Sequence, residues 1–130
     1  MSTKLSKIEI EKFSRQIILK NIGALGQRKI RNAKVLIIGM GGLGCPAAEF
    51  LTRSGIGTLG IVDYDRVSLS NIHRQTLYTE KDVNKSKVKI AKKKLNEINS
   101  KTKINIFNYK LNKIKSVSYT HLTLPTMELV

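Results

Sequence analysis

The chain has 130 residues and a formal net charge of +15, from 24 Lys and Arg against 9 Asp and Glu, with a single cysteine. That length supports one domain with a real core but is short for a complete nucleotide-binding enzyme. One cysteine excludes an internal disulfide and a multi-cysteine metal centre, and no apolar run approaches the roughly 18 residues of a membrane span.

The N-terminus lacks the apolar segment of a secretory signal, so a cytoplasmic protein without membrane association is expected. In "SKIEIEKFSRQIILKNIG", Ser6 and Glu9 have capping-box spacing, and Ile10, Phe13 and Ile17 recur at helical intervals. A helix over about residues 6–20 is predicted, with Gly23 as its stop. "GALGQRKIRNA" reads as a turn and a short second helix. It leads into "KVLIIG", a continuous aliphatic run of the kind found in a strand buried on both faces. "CPAAEFLTRSG" is helical, with Pro46 tolerated in the first turn and Gly55 at the end. "TLGIVDYD" is a second buried strand ending on acids. Lys34 to Asp63 is therefore strand, glycine turn, helix, strand, a right-handed crossover that sets the strands parallel.

Residues 66–81 read as irregular or short-helical. Val88, Ala91, Leu95 and Ile98 line one face of a helix over about Ser86 to Asn99, and "KINIFNYK" alternates as a third strand. The expected fold is α/β: a Rossmann-like parallel sheet with flanking helices, cut off after about three strands and preceded by an N-terminal helical segment. Residues 1–33 form that segment and 34–115 the partial nucleotide-binding domain.

From Lys81 to Lys115 there are 12 Lys and 6 Asn in 35 positions, interleaved with Ile and Val rather than gathered around aromatic stacking residues. This is the pattern of a solvated, lysine-rich surface and not of a specific nucleic-acid face. Steering of an acidic partner protein is the other use of such a field. Composition then changes abruptly. The last 15 residues, from Ser116, contain no Lys and no Asn. Residues 116–130 read as a non-native or frameshifted tail, or else as a divergent extension, and neither they nor His121 is given a function.

Gly39, Gly41 and Gly44 satisfy G-x-G-x-x-G between a strand and a helix, with Gly42 inside the same loop. Glycines permit the tight turn and a close backbone approach to phosphate, and the helix N-terminus attracts the negative charge. Asp63, 19 residues beyond Gly44, ends the second strand where a carboxylate accepts from ribose hydroxyls. An adenosine-containing ligand follows, and an NAD- or FAD-binding oxidoreductase is one way to use it. The stretch "DYDRVSLSNIHRQ" (63–75), followed by Lys87, favours another. Hydride transfer has no obvious use for Asn71, Arg74 and Lys87. Nucleotidyl transfer must stabilise charge at an α-phosphate and on departing pyrophosphate, which is work for cations and amide donors.

"RQIIL" (15–19), "GMGGLG" (39–44), "DYDRVSLSNIHRQ" and "KSK" (85–87) together resemble the ThiF/MoeB/HesA family, relatives of the ubiquitin-activating enzymes. The resemblance covers roughly residues 8–112. It implies use of ATP and Mg2+ to adenylate the C-terminal glycine carboxylate of a ubiquitin-like sulfur-carrier protein, as in molybdopterin or thiamine-thiazole synthesis. It further implies that Gly39, Gly41, Gly42 and Gly44 form the nucleotide cradle and that Asp63 holds the ribose. Ser70, Asn71, Arg74 and Lys87 would lie along the phosphates, with Arg74 and Lys87 neutralising charge during adenylation and Asp65 shaping the loop. Arg15 resembles an arginine that reaches into the other subunit's active site, so a homodimer is implied. Cys45 falls where the family varies and reads as a helix-packing residue. The family's later magnesium-binding Asp, crossover loop and paired cysteines have no counterpart, so the chain reads as the N-terminal nucleotide-binding part of such an enzyme, of marginal stability alone.

Overall fold

A computed structural model describes residues 4–110 and the backbone of Met127–Leu129. The capping box forms as the spacing predicts. Ser6 Oγ accepts from the Glu9 N–H at 3.1 Å, and Glu9 Oε1 accepts from the Ser6 N–H at 3.0 Å. The single helix expected over residues 6–20 is two short ones instead, α1 (Lys7–Lys12) and α2 (Ser14–Ile17), parted at Phe13 with φ −112° and ψ 19°.

Tertiary anchors on both sides of the break explain it. Phe13 is buried with its ring against Gly55, so close that a Cβ there would lie 2.6 Å from Phe13 Cζ. Lys12 Nζ donates to Asn99 Oδ1 at 2.9 Å, while Gln16 Nε2 donates to Gln27 Oε1 at 2.6 Å and to the Ser54 carbonyl at 3.1 Å. These contacts override the helical period, and α1 buries no residue at all. Ile10, expected on a buried face, is 50% exposed. Gly23 opens α3 (Gly23–Asn32) with a left-handed φ of 59°.

The remaining elements follow as the patterns predict: β1 (Lys34–Ile38), α4 (Gly44–Ser54), β2 (Thr58–Val62), α5 (Lys87–Ile98) and β3 (Lys103–Phe107). Residues 66–81 hold only short 3-10 turns. Gly55 ends α4 in the left-handed region, φ 94°. The sheet is parallel with the order β3-β2-β1-β4, where β4 is Met127–Leu129 beside Lys34–Leu36. This fourth strand falls in the stretch read from composition as a tail; residues 111–126 and 130, His121 among them, lie outside the described residues.

Register sorts the side chains between the two faces. Val35, Ile37, Leu59, Ile61, Ile104 and Ile106 share the face covered by α4 and α5, where they meet Cys45, Ala48, Val88, Ala91 and Leu95. Leu36, Val62 and Phe107, with Ile38, form a smaller cluster on the other face. The C-terminal ends of β1 and β2 thus open together toward the N-termini of α4 and α5, the crevice where ligands sit in such sheets. No described helix is long and apolar enough to cross a membrane.

Candidate nucleotide site

The glycine loop is fixed at both ends by backbone. The Gly39 N–H donates to the Val62 carbonyl at 2.7 Å, and Gly39 sits at φ 94°, a conformation that favours glycine. A Cβ at Gly44 would run into the Gly39 carbonyl, so this glycine brings α4 against the loop. Between them Met40 is wholly buried. Its N–H donates to Asp63 Oδ2 at 2.8 Å, and its carbonyl accepts from Tyr78 Oη at 2.8 Å and from Cys45 Sγ at 3.5 Å. Burial pushes the pKa values of both Tyr78 and Cys45 up, so both stay protonated and able to donate. Cys45 is therefore a packing residue that also pins the loop, in line with the sequence reading.

Gly41 and Gly42 differ from their neighbours. Neither has a positive φ, and a Cβ at either would make only ordinary contacts, the nearest being Gln75 Nε2 at 3.5 Å and Arg74 Cδ and Nε at 3.6 Å. The fold gives no reason for two bare backbones there.

Asp63 serves structure with both oxygens, Oδ2 toward Met40 and Oδ1 toward the Asp65 N–H at 2.8 Å, and each oxygen keeps lone-pair capacity for a ligand hydroxyl. The Asp65 carbonyl in turn accepts from the Lys87 N–H at 3.1 Å, and Arg66 bridges to Ser86, which docks the start of α5 beside the end of β2. Asp65 makes these contacts through its backbone. Lys87 is 5% exposed, and no hydrogen bond or ion pair of its ammonium exists among the described residues. Its charge acts on the Cys45 thiol, drawing the thiol's pKa down against burial, which places it near the base of the loop. A buried cation without a counter-charge is costly unless a ligand supplies one.

The segment after β2 lies over the loop in reverse order. The Asn71 carbonyl accepts from the N–H groups of Arg74, at 3.2 Å, and Gln75, at 2.9 Å, closing a turn. That turn sets Tyr78 on Met40, Gln75 beside Gly41 and Arg74 across Gly42. Arg74 is exposed and free to turn toward a ligand. Ser70 is also exposed, and its hydroxyl lies 3.2 Å from that of Ser68, so no hydrogen bond joins it to the loop among the described residues. No side chain caps α4 or α5. Two open helix N-termini, Arg74 and Lys87 together make a strongly anion-attracting crevice. Gln75 and Tyr78 were not singled out by sequence. Gln75 lay inside a quoted motif, but a tyrosine in an irregular stretch carries no periodic signal.

Mg2+ finds no protein-built cage: no group of three His, Cys, Asp or Glu side chains placed to hold a metal exists among the described residues. Arg15, by contrast, is remote from the loop. It is exposed on α2, next to Gln16, which binds the Ser54 carbonyl at the far end of α4.

A ThiF family profile matches residues 13–125. The adenylyltransferase and sulfurtransferase MOCS3 of Culex quinquefasciatus is 52% identical over 98 residues, 75% of this chain and 22% of that protein. A crystal structure of PaaA is similar at 36% identity with a TM-score of 0.80, covering 92% of this chain and 39% of that one. A crystal structure of E. coli MccB with ATP is similar at 32% identity and a TM-score of 0.72, covering 82% and 34%. The chain spans 22% of the length of the MOCS3 relative. With most of its residues inside the family match, the chain belongs to the ThiF family.

Proposed function

We propose that this chain is the nucleotide-binding part of an enzyme that uses ATP to adenylate the C-terminal glycine carboxylate of a ubiquitin-like sulfur-carrier protein. The observation that carries the reading is the pair Gly41 and Gly42, bare without a reason in the fold, the second lying beneath Arg74, and both close to a buried Lys87 with no counter-charge among the described residues. A triphosphate supplies what both features lack: a group that needs close backbone approach and a counter-charge for the cations.

In the reaction a carboxylate oxygen of the carrier attacks the α-phosphorus, the bond to the bridging oxygen breaks, and pyrophosphate leaves with the electron pair. Asp63 accepts from the ribose and holds the nucleoside at the end of β2. The N-termini of α4 and α5 hold the phosphate oxygens in place. Arg74, turned from Gly42, and Lys87 offset the charge that builds at the α-phosphate and on the leaving group. Asn71 and Ser70 border this path. Mg2+ belongs to the phosphates more than to the protein, since it is generally held by one or two carboxylates plus phosphate oxygens. The relatives named for adenylyl transfer and for ATP support this assignment.

ATP–pyrophosphate exchange in the full-length enzyme decides the matter: exchange should appear only with the carrier present. Arg74→Ala should lower it by roughly 100- to 1,000-fold with little change in folding stability. Exchange with no ubiquitin-like carrier, or thermal protection by NAD and not by ATP, would overturn the proposal.

A further inference from the structure

We propose that the free edge of β3 docks an extended acidic segment of a partner protein, which adds to the sheet as a further strand. This surface lies outside the nucleotide crevice and does not depend on the reading given above.

The strand order leaves β3 at one end of the sheet, with no second strand paired to it among the described residues. Its hydrogen bonds to β2 fix which groups face outward. The Lys103 N–H donates to the Gly57 carbonyl at 2.8 Å and the Phe107 carbonyl accepts from the Asp63 N–H at 3.1 Å. In a parallel ladder alternate residues share a direction, so Lys103, Asn105 and Phe107 turn their backbone groups to β2. Ile104 and Ile106 therefore present theirs to the open edge, in the pattern an added strand reads.

The chemistry beside that edge selects the occupant. A groove of about 410 Å³ runs along it, lined in part by Lys92, Lys103, Asn105 and Tyr109, and no carboxylate among the described residues lines it. Lys92 and Lys103 are exposed, as are Lys89 and Lys93 on α5. A second copy of this chain would bring lysines against lysines, and like charges across a strand pair are unfavourable. Lysine guards of this kind discourage indiscriminate edge pairing. They do not discourage a strand that carries glutamates or aspartates at the matching positions, which gains the ladder and the charge pairs together. A nucleic acid would use the lysines but has no backbone that alternates donor and acceptor against Ile104 and Ile106.

The test is fluorescence anisotropy of a labelled peptide of alternating Glu and Val, about eight residues long, titrated with the full chain. Binding is expected, weakening with salt and by roughly tenfold or more in the double variant Lys92→Glu, Lys103→Glu. It should be lost when alternate peptide amides are N-methylated, and amide exchange at Ile104 and Ile106 should slow in the complex. Both substituted lysines are exposed, so thermal unfolding of the variant should match that of the parent chain. No binding, equal binding of the N-methylated peptide, or tighter binding of a single-stranded oligonucleotide would each overturn the proposal.

Discussion

Gly41 and Gly44 stand three positions apart in one loop and lack side chains for opposite reasons. At Gly44 a Cβ meets the Gly39 carbonyl, a backbone atom that cannot move without dismantling the turn, whereas at Gly41 it meets Gln75 Nε2 at an ordinary 3.5 Å. Gly44→Ala should therefore cost about 2–3 kcal/mol or more of stability through overpacking. Gly41→Ala should leave stability unchanged within about 0.5 kcal/mol yet weaken ATP binding at least about tenfold. Urea unfolding of both variants with and without ATP reads the two effects separately. A Gly41→Ala protein that bound ATP normally would remove the cradle from the proposed site. The spacing of glycines was legible in the sequence, as was the carboxylate at Asp63. The division of labour among the glycines was not, because it depends on which atoms lie across the turn. The same holds for Gln75 and Tyr78, whose roles arise only when residues 74–78 fold back over residues 40–42.

Helices and strands were read well where burial sets a period and poorly where single long-range contacts do. The five-residue strands and α4 and α5 follow their apolar patterns, while the first helix breaks at Phe13 because its ring fills the space left by a distant glycine. A comparable long-range contact joins the short 3-10 turn Glu80–Asp82 to α5. Asp82 accepts from Thr79 N–H at 2.9 Å, Thr79 Oγ1 at 3.1 Å and Lys94 Nζ at 2.6 Å. Burial alone would raise its pKa, but the Lys94 ammonium and the Thr79 donors outweigh it and hold the carboxyl below its ordinary 3.8. At Glu9 burial likewise pulls upward, and Ser6 and Arg31 together outweigh it and hold the carboxyl below its ordinary 4.5. Both groups are depressed in the folded chain, so the stability they add is complete above the ordinary values and is lost as pH falls through and below them. Unfolding free energy measured by urea should be level near neutrality and decline below about pH 4.5. Asp82→Asn should cost about 1–3 kcal/mol at neutral pH and flatten part of that decline. An acid slope identical in the variant would show that Asp82 is not among its sources.

At the scale of the whole molecule, the placement of Arg15 constrains how the site can be completed. Gln16 ties α2 to the Ser54 carbonyl, while the glycine loop feeds the other end of the same helix at Gly44. Eleven helical residues span about 16 Å, so Arg15 is held a helix length away from the crevice of its own chain. The sequence offered Arg15 as a site residue by resemblance alone; the fold separates it from Asp63, Arg74 and Lys87, which it does bring together around the loop. If Arg15 acts in adenylation, it acts on a second copy, and exposed Ile18, Leu19 and Leu25 around it supply apolar surface for such a contact. The consequence is a complementation experiment in the full-length enzyme. Arg15→Ala and Lys87→Ala should each abolish pyrophosphate exchange. Mixed and allowed to re-equilibrate, they should recover about one quarter of the parental rate, because in a two-fold dimer half the assemblies are mixed and each mixed assembly has one intact site of two. If Arg15 served its own chain, every site would carry one defect and mixing would restore nothing.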